Sequence, residues 1–83
     1  NTGDGAGNAR LYLLASNQSD AFIRFTRDNS GNDWAMGLDH SDSQKFKISD
    51  NGTLGTNDRL VIDTSGNVAF TGDIRGFIFF SWY

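Results

Sequence analysis

Apolar and polar positions alternate at period two through most of the middle of the chain. In 20–26 (DAFIRFT), Ala21, Ile23 and Phe25 fall on one side and Phe22, Arg24 and Thr26 on the other. In 33–38 (DWAMGL), Trp34, Met36 and Leu38 share a side. In 44–49 (QKFKIS), the pattern predicts Phe46 and Ile48 inward and Lys45 and Lys47 outward. Residues 58–63 (DRLVID) and 67–71 (NVAFT) predict a hairpin, and 9–15 (ARLYLLA) predicts a strand ahead of all of these. SNQS, HSDS and DNGTLGTN read as turns and a longer loop. No window holds the spacing of an amphipathic helix. About six or seven short strands at spacings of roughly 8–12 residues predict an all-β fold. Its units are short antiparallel hairpins, in a β-prism or β-sandwich-like arrangement.

Two nearly identical turns set the expected registers: DNSGN at 28–32 and DTSGN at 63–67. A three-residue hairpin loop is commonly a type I turn closed by a left-handed residue, and glycine takes that place without steric cost. Gly66 and Gly31 are therefore predicted at positive φ. Asp63 and Asp28 are predicted to accept hydrogen bonds from loop amides. For the second turn this pairs Asp63 with Asn67, Ile62 with Val68 and Leu60 with Phe70. For the first it pairs Asp28 with Asn32, Thr26 with Trp34 and Phe25 with Ala35. The two turns read as one device used twice, a weak internal repeat.

Length changes the picture. A chain of 83 residues allows one small domain, whose core is marginal without help. Cysteine is absent, which excludes disulfides, and a lone histidine excludes the usual Cys/His zinc site. Oligomerisation is the remaining aid. Several predicted strands carry large apolar residues on both sides, so a thin sheet needs either a second sheet or neighbouring chains. The net charge of -3 argues against nucleic acid, which is bound through clustered Lys and Arg. No apolar run nears the roughly 20 residues of a membrane helix. Asn1 in first place, with no signal peptide in sight, reads as a processed product or a piece cut from something longer. Residues 1–8 read as a flexible Gly-rich lead, 9–75 as the β-rich domain, and 76–83 as an aromatic C-terminal strand or tip. That tip holds Phe77, Phe79, Phe80, Trp82 and Tyr83, an aggregation hazard on a monomer and an interface on an oligomer.

Candidate chemistry is sparse. Asp28, Ser30 and Asn32 alternate oxygen ligands, but the glycine stands fourth instead of sixth and no acid stands twelfth, so a turn is the better reading than a calcium loop. Asp39, His40 and Asp42 could hold a hard cation, though a solvated turn explains them as well. His40 lacks a nucleophile signature nearby. The carboxylates of Asp39, Asp42, Asp58 and Asp63 all fall in turns or strand ends, so no glycosidase pair stands out. No enzyme and no cofactor is expected. Trp34 could stack on a sugar, or pack across Thr26 and against a neighbour.

One stretch carries a resemblance. Trp34, Gly37 and Asp39, then Lys45 to Ile48, Leu54 and Gly55, and finally Leu60, Ile62, Asp63, Gly66, Asn67 and Val68 follow a recurring pattern. The pattern resembles a segment of phage tail fibres and tailspikes that precedes an intramolecular-chaperone peptidase domain, as in endosialidase and neck-appendage fibres. It covers about residues 20–71. Where that family continues Gly-Ile-Gly-Thr after Asn-Val, this chain has Ala69, Phe70, Thr71 and Gly72. The resemblance implies an intertwined homotrimeric segment of a virion appendage, joined to other fibre or baseplate proteins. It implies a structural role at or near the host-attachment tip, with a host glycan or surface protein as the target. Leu60, Ile62, Val68, Phe70, Phe46 and Ile48 would then form a core shared among three chains. Trp34, Asp39, His40 and Asp42, with the loops at 39–43 and 50–57, are the candidate receptor contacts. The alternative is a small carbohydrate-binding β-sandwich built on Trp34 and nearby Asp residues.

Overall fold

The computed structural model describes residues 7–28 and 31–75. The chain forms one open antiparallel sheet in sequence order: β1 (Ala21–Arg27), β2 (Asn32–Asp39), β3 (Lys45–Ser49), β4 (Asp58–Ile62) and β5 (Val68–Phe70). A 3-10 turn, His40–Asp42, links β2 to β3. The all-β class and the hairpin connections agree with the alternating pattern. The described residues hold five strands, fewer than the pattern predicts. The missing one is 9–15, which joins no ladder. Leu11 and Leu13 instead border a groove with Ala21, Ile23, Met36, Leu38 and Phe46.

The β4–β5 hairpin has the predicted register, with Leu60 opposite Phe70 and Ile62 opposite Val68. Gly66 has φ +90, its amide donates to the Asp63 carbonyl, and the Asp63 amide donates to the Asn67 carbonyl. The Asp63 carboxylate accepts from the amides of Ser65 and Asn67, both at 2.9 Å. Those bonds, that from the Asn67 amide foremost, hold its pKa below the usual carboxylate range.

The β1–β2 hairpin departs from its expected register by one residue. Gly31 does take positive φ, at +87, but so does Asp28, at +51. The ladder therefore closes at Arg27 opposite Asn32, and the loop is one residue longer than in its twin. Phe25 faces Trp34, not Ala35, and Thr26 faces Asp33, not Trp34. Since side chains alternate at period two, the slip decides which face Trp34 occupies.

Opposed residues now align in rows across the sheet. Ala21, Leu38, Phe46, Ile62 and Val68 form one row, and Ile23, Met36, Ile48, Leu60 and Phe70 the next. Phe25 and Trp34 form a third, bounded by Arg27 and Asn32. One whole face of the sheet is thus apolar, and it is the open one. Phe25, Trp34, Leu38, Phe46, Val68 and Phe70 are all exposed. The other face is covered by the turn at 40–44 and the loop at 50–57, and the side chains beneath them are mostly polar. Among the described residues only Ala35 and Leu54 are buried hydrophobics, beside buried Asp33, Asp39, Lys47 and Ser49. The expected orientation of β3 is therefore reversed: Lys47 is inside and Phe46 outside. The radius of gyration, 16.4 Å, exceeds the roughly 12 Å of a compact domain of this length.

Candidate functional site

The covered face is an ionic lattice, and its part around Lys47 is fully paired. Lys47 sits mid-strand in β3 and points under the 40–44 turn. Its Nζ donates to Asp39 Oδ2 at 2.9 Å and to Asp42 Oδ2 at 2.6 Å, and lies 3.3 Å from Asp58 Oδ2. Three donors meet three carboxylates. Burial pushes the Lys47 pKa down, and the bonds to Asp42, Asp39 and Asp58 more than reverse that, so it stands above its ordinary value. Asp39 Oδ1 takes the Ser41 hydroxyl at 3.0 Å, and Asp42 Oδ1 takes Lys45 at 3.2 Å. Lys47 holds both carboxyls below the usual range, with Ser41 assisting at Asp39 and Lys45 at Asp42. Ser49 extends the lattice, donating to Asp58 Oδ1 at 2.7 Å and accepting from the Gly55 amide at 3.3 Å. Further along the same face, Arg24 bonds Asp33 Oδ2 through both Nε and Nη2, while Asp33 Oδ1 is buried without a hydrogen-bond partner.

This geometry distributes the residues singled out in the sequence unevenly. Asp39 and Asp42 come together, but around Lys47, and Asp39 is buried with both oxygens engaged. His40 donates its amide to Asp20 Oδ1 at 2.8 Å, and its Nδ1 lies 2.9 Å from Gln44 Nε2. Trp34 stands on the opposite face, beside Phe25. A sugar stacked on Trp34 would therefore not meet the Asp39 and Asp42 carboxylates. Asp63 and Gly66 form the second hairpin turn as expected, and Gly31 and Asp28 take positive φ in the first, where residues 29–30 of the loop lie outside the described residues. Phe77, Phe79, Phe80, Trp82 and Tyr83 lie outside the described residues. Among the described residues, no group of three or more His, Asp or Glu side chains converges as a metal site, and no helix is long and apolar enough to cross a membrane.

Sequence reading overlooks Lys47, although one signal is present. A lysine in an alternating strand with aspartates at strand ends on both sides can be drawn inward by them. It also misses Arg24 with Asp33, whose pairing depends on the register of the first hairpin.

The open face is the larger feature. Between the Arg27–Asn32 rim and the first row, every strand side chain on it is apolar. It offers no acid, base or nucleophile, only surface that gains by leaving water. Leu11 and Leu13 cross one end and leave a groove of about 310 Å³ against Ile23, Met36, Leu38 and Phe46. Exposed apolar surface of this kind is what partner contacts bury.

Comparison with models of known families, with curated proteins and with solved structures finds no match.

Proposed function

We propose that this chain is a structural segment of a phage tail fibre or spike, assembled as a homotrimer that supports or forms the attachment tip. The observation that carries the reading is the open apolar face. A chain that packs its charges beneath its own loops and turns its rows of Phe, Ile, Leu and Val outward is built as one part of a larger core. Burying one such side chain contributes about 1.5–3 kcal/mol. Several buried together outweigh the thin core that Ala35 and Leu54 provide. The residue pattern from Trp34 to Val68 adds the fibre assignment, and an interlocked trimer is the arrangement it implies. The segment's work is mechanical: each chain's apolar rows are covered by its neighbours, and the ionic faces look outward beneath their loops. Contact with a host glycan or protein then falls to the 40–44 turn and the 50–57 loop, the outermost parts of that covered face.

Substitutions on the apolar face and away from it test this. Phe46→Asp and Leu60→Asp, on the apolar face, should convert the trimer to monomer at micromolar concentration. Thr64→Asp, at an exposed hairpin tip, should leave it intact. Identical sedimentation of all three variants would refute the reading.

A further inference from the structure

We propose that the occupant of the apolar face is the segment 76–83 of a second copy of this chain, docked along the Phe25, Trp34 and Phe70 side of the sheet. The inference rests on the trimeric reading and names the segment that fills its interface.

The segment reads GFIFFSWY, without a charge among its side chains. The face it would meet has none either, short of its rim. Two uncharged, aromatic-rich surfaces in one small chain satisfy each other's need for burial, and aromatic pairs add a further preference for packing together. The size also fits. At about 3.3 Å per residue, 76–83 reaches roughly 26 Å when extended. Five strands at about 4.8 Å spacing are roughly 19 Å across. The segment can therefore cross every strand of the sheet.

Topology assigns the place. Leu11 and Leu13 border the groove at the Ala21–Leu38–Phe46 end. Phe25 and Trp34 lie at the opposite end, and β5 runs toward that end as it passes from Val68 to Phe70. Thr71 keeps one ladder bond, to the Arg59 carbonyl, and residues 71–75 are exposed throughout. Asp73 and Arg75 pair with each other in solvent. No described residue beyond β5 is buried against its own sheet.

The absence of native cysteine makes the test clean. Phe25→Cys and Phe79→Cys chains, each singly substituted, are refolded together and oxidised, and the disulfide is mapped by mass spectrometry, alongside the solution mass. A disulfide forms only where the two Cα atoms come within about 7 Å. The expected result is a 25–79 disulfide between chains within a trimer. A trimer without it overturns this docking and leaves the fibre reading standing. A monomer overturns both. A doubly substituted chain that closes a disulfide within itself shows that the segment covers its own sheet, which also overturns the proposal.

A second measurement needs no cysteine. In Trp82→Phe, Trp34 is the sole tryptophan. Its emission should shift to the blue as concentration rises through assembly, and removing 76–83 should abolish the shift. A shift of equal size without 76–83 contradicts the docking.

Discussion

Lys47 and Asp39 are paired at 2.9 Å, and each side chain is only 4% exposed. They stand on neighbouring strands, on the face that simple alternation assigns to solvent. Taking two charges out of water is costly, and the cost is offset only when hydrogen bonds satisfy them fully. Here Asp42, Asp58 and Ser41 complete the set. Removing one partner leaves an uncompensated buried charge. Lys47→Met should therefore destabilise the fold by about 3–5 kcal/mol. Denaturant unfolding checks this, and a loss under about 1 kcal/mol would mean the pair is screened by water.

The same cluster fixes a pH window. Asp39 and Asp42 have folded pKa values below their ordinary 3.8. Their contribution is present above that value and is lost as pH falls through the lower folded values. Lys47 has a folded pKa above its ordinary 10.5, so its contribution is complete below 10.5 and is lost as pH rises toward the folded value. Thermal midpoints should be level between about pH 5 and 10 and fall on both sides. In Lys47→Met the alkaline fall tied to this group should vanish. An unchanged alkaline limb in that variant would show that another group causes it.

Much of the fold is legible in the sequence, and the failures have physical causes. The β4–β5 register can be read because a three-residue loop with Gly66 at its end allows one pairing of Leu60, Ile62, Val68 and Phe70. The first hairpin carries almost the same five letters. Its register slips because Asp28 itself enters the left-handed region, which aspartate tolerates better than most residues. That one residue moves Trp34 beside Phe25 and places Arg24 with Asp33. Alternation shows that Lys45 and Lys47 share a face, but not which face the 50–57 loop covers. That loop, the connection from β3 to β4, folds back over the sheet and buries Leu54, which periodicity does not encode. Asp39 and Asp42 look like ligand residues because carboxylates near a turn usually meet solvent. Their actual partner, Lys47, lies one strand away.

Two glycines separate steric from conformational constraint. A Cβ on Gly37 would come within 2.3 Å of the Ala21 carbonyl oxygen and 2.5 Å of Phe22 Cα, so β1 would have to move. Gly37→Ala should cost about 1–3 kcal/mol through this overpacking. Gly66 has no atom within 4 Å of its Cβ position, but its φ is +90. Gly66→Ala should cost about 1–2 kcal/mol from conformation alone, and Gly66→Asn less, since asparagine accepts that region. Denaturation midpoints of the three variants check the order. An Asn variant as damaged as the Ala variant would contradict the conformational cause.

The Asp63 turn should behave as a local unit. Asp63→Ala removes the acceptor for the Ser65 and Asn67 amides and should cost about 1 kcal/mol. Amide exchange at those two positions should speed up, with β1 and β2 unaffected. Faster exchange across the whole sheet would show that β4–β5 is not separable from it.

The central claim is that the apolar face of the sheet is an intermolecular core. Sedimentation equilibrium of the unaltered chain tests it most directly. A mass three times the 9.1 kDa of one chain, held down to low micromolar concentration, is the predicted result. A cooperatively folded monomer of 9.1 kDa would contradict it.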